Sequence, residues 1–369
     1  MNQILLFIGL VIILCLTIKP VGKKLPFPTL LIFIALGMLL GVNGPAHIDF
    51  SDYALTETVC STALLFIMFY GGFNTNIDRA KPVAVPAVLL STLGVIATAG
   101  ITGAFAHFAL GFDWIGGLLL GSVVASTDAA SVFSVLREHN LSLRGGTDSL
   151  LEVESGSNDP VAYMLTAVLA TLAAGGIDVP VLLAKQIILG VGLGLVIGWT
   201  SSRLIERAHA TAEGAQTIFL FAVAIVAYAL PSYLGGNGFL AVYLAGIVLG
   251  ASDITGKVEM AHFFDTLTEM AEMTIFFLLG LLVTPARLPQ MLLPGLALMA
   301  FMLFVSRPIA VGLLLAPFKT NPRQVALVSW AGLRGAASVV FSLFAVVVGV
   351  PGGHDLFDLV FVIAVSSIV

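Results

Sequence analysis

The sequence predicts an all-α polytopic membrane protein with about thirteen transmembrane helices, in two inverted six-helix repeats that contain two crossing broken helices. Composition is the first reason: 59% of the 369 residues are hydrophobic and 10% are charged, whereas about a quarter of a soluble domain is charged. The second reason is the regular division of the chain into apolar segments, and the third is the uneven distribution of basic residues over the loops. The scattered basic residues form no nucleic-acid-binding patch.

Division of the chain at glycine, proline and charged residues yields thirteen apolar segments. About 20 such residues in a helix cross the hydrocarbon core of a bilayer. In chain order the segments are 3–19, 28–42, 56–72, 83–110, 115–136, 147–174, 184–205, 216–232, 237–251, 264–283, 291–315, 322–349 and 355–369. The first lacks the basic flank and cleavage site of a signal peptide, so we expect a retained helix. The last ends without a stop signal, so the sequence does not decide whether a cytosolic regulatory tail follows it.

Basic residues indicate how the segments cross the membrane, because inward loops are enriched in Lys and Arg. With the N-terminus outside, the outward loops hold Lys185 and Arg287, while Arg307 and Arg334 lie within apolar segments. The inward loops hold the remaining basic residues: Lys19, Lys23, Lys24, Arg79, Lys81, Arg137, Arg144, Arg203, Arg207, Lys257, Lys319 and Arg323. The bias predicts a multi-pass protein of the inner (cytoplasmic) cell membrane with a cytosolic C-terminal end.

The thirteen segments divide into six, one and six, and a single linker helix would place the two halves in opposite orientations. The fifth segment carries a polar interruption at 125–129 that includes Asp128, and the twelfth carries one at 331–336 that includes Arg334. These interruptions occupy corresponding places in the two halves. Paired interrupted helices mark the substrate site of many secondary transporters, so we expect two broken helices, with ordinary kinks as the alternative.

Three charged residues are predicted near the middle of the membrane. Counted along the predicted helices, Asp159 and Arg334 lie roughly 18 Å from the inner face, and Asp128 lies roughly 20 Å from the outer face. The hydrocarbon core is about 30 Å thick. An ionised group at this depth costs roughly 2.5–3.5 kcal/mol and usually lines an ion path or pairs with an opposite charge.

Oxygen-bearing side chains surround Asp159 in the sequence. Ser155, Asn158 and Asp159 share one helical face, because Asn158 and Asp159 follow Ser155 by three and four residues. Thr127 adds a hydroxyl and a carbonyl, and Asp128 would lie at the N-terminal end of a half-helix, where negative charge is favoured. These five residues are the predicted ion- and proton-binding set, in which Asp159, Ser155 and Thr127 ligate a monovalent cation.

Glu154 and Arg334 form the predicted structural ion pair, since neither charge is tolerable alone at this depth. An interfacial Glu154 near the cytosolic end is the alternative. Arg307 could contact a partner carboxylate or lipid headgroups, and the sequence does not choose between them. If Arg334 neutralises Glu154, Asp159 holds a proton and a cation in turn, which predicts electroneutral one-to-one antiport.

The predicted function is therefore secondary monovalent cation/proton antiport, with a monovalent cation channel as the alternative. A channel would use the same polar residues without a carboxylate that alternates between proton and cation, and an organic-anion or metabolite symporter would need a larger polar cavity. No HExxH motif, Walker lysine or catalytic His/Ser arrangement is present, so we expect neither an enzyme nor a cofactor. The spacing does not decide between Na+ and K+, and it does not determine the pH range or the direction of exchange.

Three motifs carry a family resemblance: 126–130 (Ser-Thr-Asp-Ala-Ala), 154–160 (Glu-Ser-Gly-Ser-Asn-Asp-Pro) and 332–336 (Gly-Leu-Arg-Gly-Ala). The segments 240–246 and 277–283 support it. Over most of its length the chain resembles the monovalent cation:proton antiporter superfamily, in its Na+/H+ exchanger (NhaP-type) branch. It is most similar to bacterial potassium/proton antiporters linked to cell-volume regulation, and on that resemblance alone K+ is favoured over Na+.

The resemblance implies roles for individual residues. Asn158 and Asp159 match the family's signature pair, in which the aspartate binds the ion or proton. Positions that match the rest of the family's site and its structural ion pair are Thr127, Asp128, Ser155, Glu154 and Arg334. One departure is Tyr70, which precedes Gly71-Gly72 where family members often carry an acidic residue. Its effect on ion choice and pH response is open.

The resemblance also implies a homodimer in which a core domain moves against a dimer domain as an elevator. The implied dimer or scaffold domain comprises 1–82 and 211–290, and the core transport domain comprises 83–175 and 291–369. A linker helix lies within 176–210. The implied partners are K+ or Na+, H+, the lipid bilayer and a second copy of the chain, in a role in pH homeostasis.

Overall fold

The computed structural model describes residues 2–22, 29–42, 44, 47–128, 143, 145–175, 178–208, 213–318 and 320–368, and all regular secondary structure among them is helical. The predicted all-α fold is thus confirmed for these residues. Counting each uninterrupted helical run once, the helices are α1 (Asn2–Gly22), α2 (Thr29–Leu40), α3 (Tyr53–Asn74), α4 (Ile77–Leu110), α5 (Trp114–Val123), α6 (Thr147–Ala173), α7 (Val179–Ala208), α8 (Glu213–Tyr233), α9 (Gly238–Ala251), α10 (Lys257–Leu282), α11 (Leu288–Phe318), α12 (Pro322–Trp330), α13 (Ala336–Val347) and α14 (Gly353–Ile368).

Five of the described helices are long and apolar enough to cross a membrane by length and composition: α3, α4, α7, α8 and α11. Shorter apolar helices include α2, α5, α9 and α13. Every predicted segment overlaps one of the fourteen helices, and the segment predicted at 322–349 is divided between α12 and α13. The thirteen-span inverted repeat itself stays a prediction. Five basic residues of the predicted inward loops lie outside the described residues: Lys23, Lys24, Arg137, Arg144 and Lys319.

The two predicted interruptions are non-helical where the structure describes them. In the twelfth segment, residues 331–335 separate α12 from α13. In the fifth, α5 ends at Val123 and residues 126–128 have no helical structure. The rest of the fifth segment, including Ala129 and Ala130 of its motif, lies outside the described residues.

Two long helices, α4 and α11, each contain a π-helical turn, at Leu90–Gly94 and Met302–Ser306. These helices are the fourth of each predicted six-helix half. They contact each other beside the second π turn, where the hydroxyls of Thr102 and Ser306 lie 3.0 Å apart and Ser306 Oγ donates to the Thr98 carbonyl over 3.2 Å. A π turn shifts the direction of the side chains that follow it, and Arg307 follows directly.

The helices pack in two sets. In the first, α3 packs against α9 and α10, α2 packs against α10, and α7 and α8 pack against α9. In the second, α5 packs against α4 and α6, and α14 packs against α11 and α13. Contacts of α13 with α3 and of α6 with α9 join the two sets. The polar residues of the predicted site therefore lie in the second set, beside the boundary with the first.

Candidate ion-binding site

The non-helical stretches of the fifth and twelfth segments contact each other directly. The Asp128 N–H donates to the Leu333 carbonyl over 2.8 Å, and the hydroxyls of Ser126 and Ser338 lie 3.4 Å apart. A Cβ at Gly335 would overlap the Asp128 side chain, so this close approach requires glycine there. Chain breaks free backbone groups from the helical hydrogen-bond ladder, and here those groups bond to one another across the two stretches.

Asn158, a fully buried residue of α6, holds the Thr127 segment in place. Its amide Nδ2 donates to Thr127 Oγ1 over 2.5 Å and to Glu154 Oε1 over 3.2 Å. Its Oδ1 accepts from the Thr127 N–H over 3.3 Å. Ser155 Oγ donates to the Thr127 carbonyl over 2.9 Å. The structure thus joins four of the predicted residues, Thr127, Glu154, Ser155 and Asn158, by direct hydrogen bonds.

Glu154 forms its ion pair with Arg307, which corrects the predicted pairing with Arg334. Arg307 Nη2 lies 2.9 Å from Glu154 Oε1, and both side chains are 1% exposed. The physical reason lies in α11: the π turn directs Arg307 inward, against Gly332, where a Cβ would crowd its side chain. The sequence left Arg307 with two possible partners, and the structure selects the carboxylate.

Arg334 instead holds the two broken stretches together. Its Nη1 donates to the Ser126 carbonyl over 3.2 Å. Its backbone is fastened to α14, because the Arg334 N–H donates to Ser367 Oγ over 2.9 Å and Ser367 Oγ donates to the Arg334 carbonyl over 3.3 Å. The guanidinium is buried.

Asp159 is a buried carboxylate that the described residues leave incompletely bonded. It is 8% exposed, and its Oδ1 has no hydrogen-bond partner among the described residues. Pro160 follows it and has no N–H, so the Gly156 carbonyl loses its helical donor. The Pro160 carbonyl is bonded, since Asn237 Nδ2 donates to it over 2.7 Å. On α6, therefore, Asp159 Oδ1 lacks a hydrogen-bond partner among the described residues, and the Gly156 carbonyl lacks its helical N–H donor.

Aromatic rings lie one helical turn beyond Asp159. The Tyr163 ring lies 4.8 Å from the Phe239 ring and 5.6 Å from the Phe341 ring, measured between centroids. Tyr228 continues the layer, with its ring centroid 4.9 Å from that of Phe239. Phe344 completes it, 5.7 Å from Tyr163. This aromatic layer, formed by Tyr163, Tyr228, Phe239, Phe341 and Phe344, packs α6 and α13 against α8 and α9.

The oxygen atoms near Asp159 are ligands of the kind that a monovalent cation prefers. Hydroxyl, carbonyl and carboxylate oxygens are available from Thr127, Ser155, Gly156 and Asp159. In the described part of the chain, no group of three His, Cys, Asp or Glu side chains is arranged to hold a metal ion. Glu152 is exposed on α6, and Asp128 is half-buried with its N–H engaged at Leu333.

Sequence reasoning assigned no individual role to several residues that shape the site. Ser126, Ser338, Ser367 and Asn237 bond to the broken stretches or to α6 through backbone carbonyls and hydroxyls. Small polar residues of this kind recur throughout the chain, so only their contacts distinguish them. Arg307 carried a usable signal, since a charge in the middle of an apolar segment demands a partner.

Comparison with known proteins gives the family. The family model described as "Sodium/hydrogen exchanger, transmembrane" matches residues 9–369. The K(+)/H(+) antiporter NhaP2 of Shewanella sp. (strain MR-4) is 38% identical over 375 residues, covering 100% of this chain and 65% of the relative. The K(+)/H(+) antiporter NhaP of Alkalimonas amylolytica is 37% identical over 375 residues, with the same coverage. The chain thus spans 65% of the length of these relatives.

An archaeal relative and a solved structure agree with this match. The Na(+)/H(+) antiporter 1 of Methanocaldococcus jannaschii is 27% identical over 370 residues, covering 93% of this chain and 83% of the relative. The structure of the sodium proton antiporter MjNhaP1 from the same organism at pH 8 superposes with a TM-score of 0.87 at 22% identity, covering 100% of this chain and 95% of that one. That likeness shows a shared fold. The chain belongs to the sodium/hydrogen exchanger family of transmembrane proteins.

Proposed function

We propose that this chain is the membrane part of a secondary monovalent cation/proton antiporter, in which a proton and a cation compete for Asp159. The observation that carries the proposal is the Asp159 Oδ1 atom, which is buried beside a polar network and has no hydrogen-bond partner among the described residues. A carboxylate kept in a membrane segment without a fixed partner can hold a proton or a cation, and each excludes the other.

The charge balance around the site supports exchange of one ion for one proton. The interior holds the guanidinium groups of Arg307 and Arg334 and the carboxylates of Glu154 and Asp159, and Asp128 is half-buried beside them. With all five groups ionised, the cluster carries one net negative charge. One proton or one monovalent cation makes it neutral, and a neutral cluster is the least costly to move through a bilayer. The exchange is accordingly electroneutral.

The ligands proposed for the cation are the carboxylate of Asp159 and the hydroxyls of Ser155 and Thr127, with Asp128 close by. Asn158 positions Thr127 through hydrogen bonds in both directions. K+ is the proposed cation, because the two relatives at 37–38% identity are named K(+)/H(+) antiporters. Na+ is the alternative, since the relative at 27% identity is named a Na(+)/H(+) antiporter. The exchange has no covalent step and needs no cofactor.

Transport proceeds by alternating access between the two packed sets of helices. In this proposal residues 83–175 and 291–369 move as the transport domain, against a scaffold formed by 1–82 and 211–290. The contacts of α6 with α9 and of α13 with α3 are the surfaces that slide. The scaffold forms a homodimer in the inner membrane, with the N-terminus outside.

The test is proton movement in proteoliposomes that contain a pH-sensitive dye, with K+ or Na+ added to wild type and Asp159→Asn. We expect cation-triggered proton movement in wild type and only background movement in Asp159→Asn. The matched control is Asp178→Asn, the same change at an exposed position before α7, which should exchange like wild type. Cation flux without proton movement, persisting in Asp159→Asn, would establish a channel instead.

A further inference from the structure

A groove lies on the surface between α11 and α12, outside the polar site. Its volume is about 600 Å³, within the range of about 300–1,000 Å³ that is typical of ligand pockets. Thr320 and Pro322 line it at the connection between the two helices, and Phe304 and Trp330 line it farther along them. Most of its other lining residues are also apolar, so a molecule that fills the groove must be apolar over most of its length.

The groove is open to the surroundings of the protein. Phe304 is 75% exposed and Trp330 is 54% exposed, although both side chains are large and apolar. Gly312 lines the groove as well, and a Cβ there would meet no described atom within 4 Å. Because α11 is long and apolar enough to cross a membrane, the surroundings of the groove are lipid chains. Lipid chains are as apolar as the groove, so an acyl chain gains only packing there, and selective binding requires a headgroup contact.

The charge at one end of the groove is positive. The sequence contains no acidic residue within 288–354, whereas Lys319 and Arg323 lie at the connection between α11 and α12. Arg323 is exposed and forms no ion pair with any described residue. It lies at the edge of the groove face of α12, since the lining residues Ala326 and Trp330 follow it by three and seven residues. This end therefore complements an anionic headgroup.

The walls of the groove include segments that position the two buried arginines. Phe304 belongs to the π turn directly before Arg307. Trp330 ends α12 directly before the broken stretch 331–335, which contains Arg334. A molecule in the groove therefore contacts both segments.

We propose that this groove binds an anionic phospholipid, with an acyl chain between α11 and α12 and the phosphate at Arg323. The distribution of basic residues predicts that this end faces the cytoplasm, and basic sites between helices on that side bind anionic headgroups. Bound there, the lipid packs against the segments that carry Arg307 and Arg334. The inference goes beyond the proposed antiport, and its test needs no measurement of transport.

Brominated phospholipids test this binding, because bromine on an acyl chain quenches the fluorescence of tryptophans that it contacts. The chain has three tryptophans, so Trp114→Phe combined with Trp199→Phe leaves Trp330 alone. The bilayers mix phosphatidylcholine and phosphatidylglycerol, with bromine on one lipid and then on the other. We expect phosphatidylglycerol to bind at Trp330 about five-fold more tightly, the effect of one basic residue. The matched control keeps only Trp114, which is 49% exposed beside Asp113, and should show no preference.

Two further variants separate the headgroup contact from the groove. Arg323→Gln should lower the preference at Trp330 about five-fold, whereas Arg203→Gln, at an exposed position of α7, should leave it unchanged. Gly312→Leu fills the groove from its own wall and should reduce quenching of Trp330 by phosphatidylglycerol. Its control is Gly100→Leu on α4, where a Cβ also meets no described atom within 4 Å, and quenching should match that of the parent protein.

Three outcomes would each overturn the proposal. Equal binding of the two lipids at Trp330 would show an ordinary lipid-facing surface, and so would a preference that persists in Arg323→Gln. Absence of quenching by either lipid would show that protein, such as a second copy of this chain, covers the groove. Exchange activity does not enter these measurements, so the proposed antiport could fail without affecting them.

Discussion

Arg307 and Glu154 form an ion pair of 2.9 Å in the protein interior, where each side chain is 1% exposed. The pair joins α11 to α6 directly after the π turn of α11. The Arg307 Nε and Nη1 atoms have no hydrogen-bond partner among the described residues, so Glu154 is the main compensation for this buried charge. In the proposed antiport, the pair also keeps Glu154 from competing with Asp159 for the cation.

Arg307→Ala should destabilise the protein strongly, because it leaves the Glu154 carboxylate buried and unpaired. Breaking a buried pair in this way costs about 3–5 kcal/mol. Chemical unfolding in detergent, monitored by tryptophan fluorescence, measures the loss of unfolding free energy. The matched control is Arg203→Ala, which breaks the exposed Arg203–Glu206 pair of 3.1 Å and should cost at most about 1 kcal/mol. Equal losses in the two variants would show that the buried pair is dispensable.

Arg334→Ala should cost less stability than Arg307→Ala, because Glu154 keeps its partner. The variant loses the hydrogen bond from Arg334 Nη1 to the Ser126 carbonyl, worth about 1–3 kcal/mol when its partner stays buried. Since that bond holds the two broken stretches together, cation-dependent exchange should fall to background all the same. Unfolding and proteoliposome flux measured on one preparation check both statements. If Arg334→Ala lost more unfolding free energy than Arg307→Ala, Arg334 and not Arg307 would be the main ionic partner of Glu154.

Asn158→Ala should abolish exchange while leaving a folded protein. The variant removes the hydrogen bonds that hold Thr127 against α6, and we expect a loss of about 1–3 kcal/mol in unfolding free energy. Ser157→Ala is the neighbouring control, because the Ser157 hydroxyl donates to the Val153 carbonyl of its own helix over 2.5 Å. It should change stability by less than about 0.5 kcal/mol. If Asn158→Ala exchanged ions at the wild-type rate, Thr127 would not be needed as part of the ion-binding site.

Asn237→Asp separates two roles of one side chain. The new carboxylate can still accept from the Leu240 N–H and cap α9, but it cannot donate to the Pro160 carbonyl as the Asn237 amide does. We expect the unfolding free energy to fall by about 1–3 kcal/mol, measured by chemical unfolding. We also expect slower exchange, measured by proteoliposome flux.

Asn321→Asp is the control for that substitution. Asn321 is exposed and acts as an acceptor, capping α12 through the Arg323 N–H over 3.0 Å, so aspartate should replace it without loss. If the two variants behave alike, the Pro160 contact has no importance of its own.

The predicted helices and interruptions follow directly from local properties. Apolar length marks each helix, and the break before Ala336 follows from small and charged residues in an apolar run. The oxygen-bearing face of α6 follows from the spacing of Ser155, Asn158 and Asp159. These features depend on neighbours along the chain, so one sequence suffices to predict them.

By itself, then, the sequence determined an all-helical membrane protein, the sites of its interruptions and the polar face of α6, because hydrophobicity and helical periodicity are local. Only the tertiary structure decided that Glu154 pairs with Arg307, since both arginines lie in apolar runs and the π turn of α11 sets which one faces α6. Pairings between distant helices depend on packing, and packing direction is not encoded in any single segment.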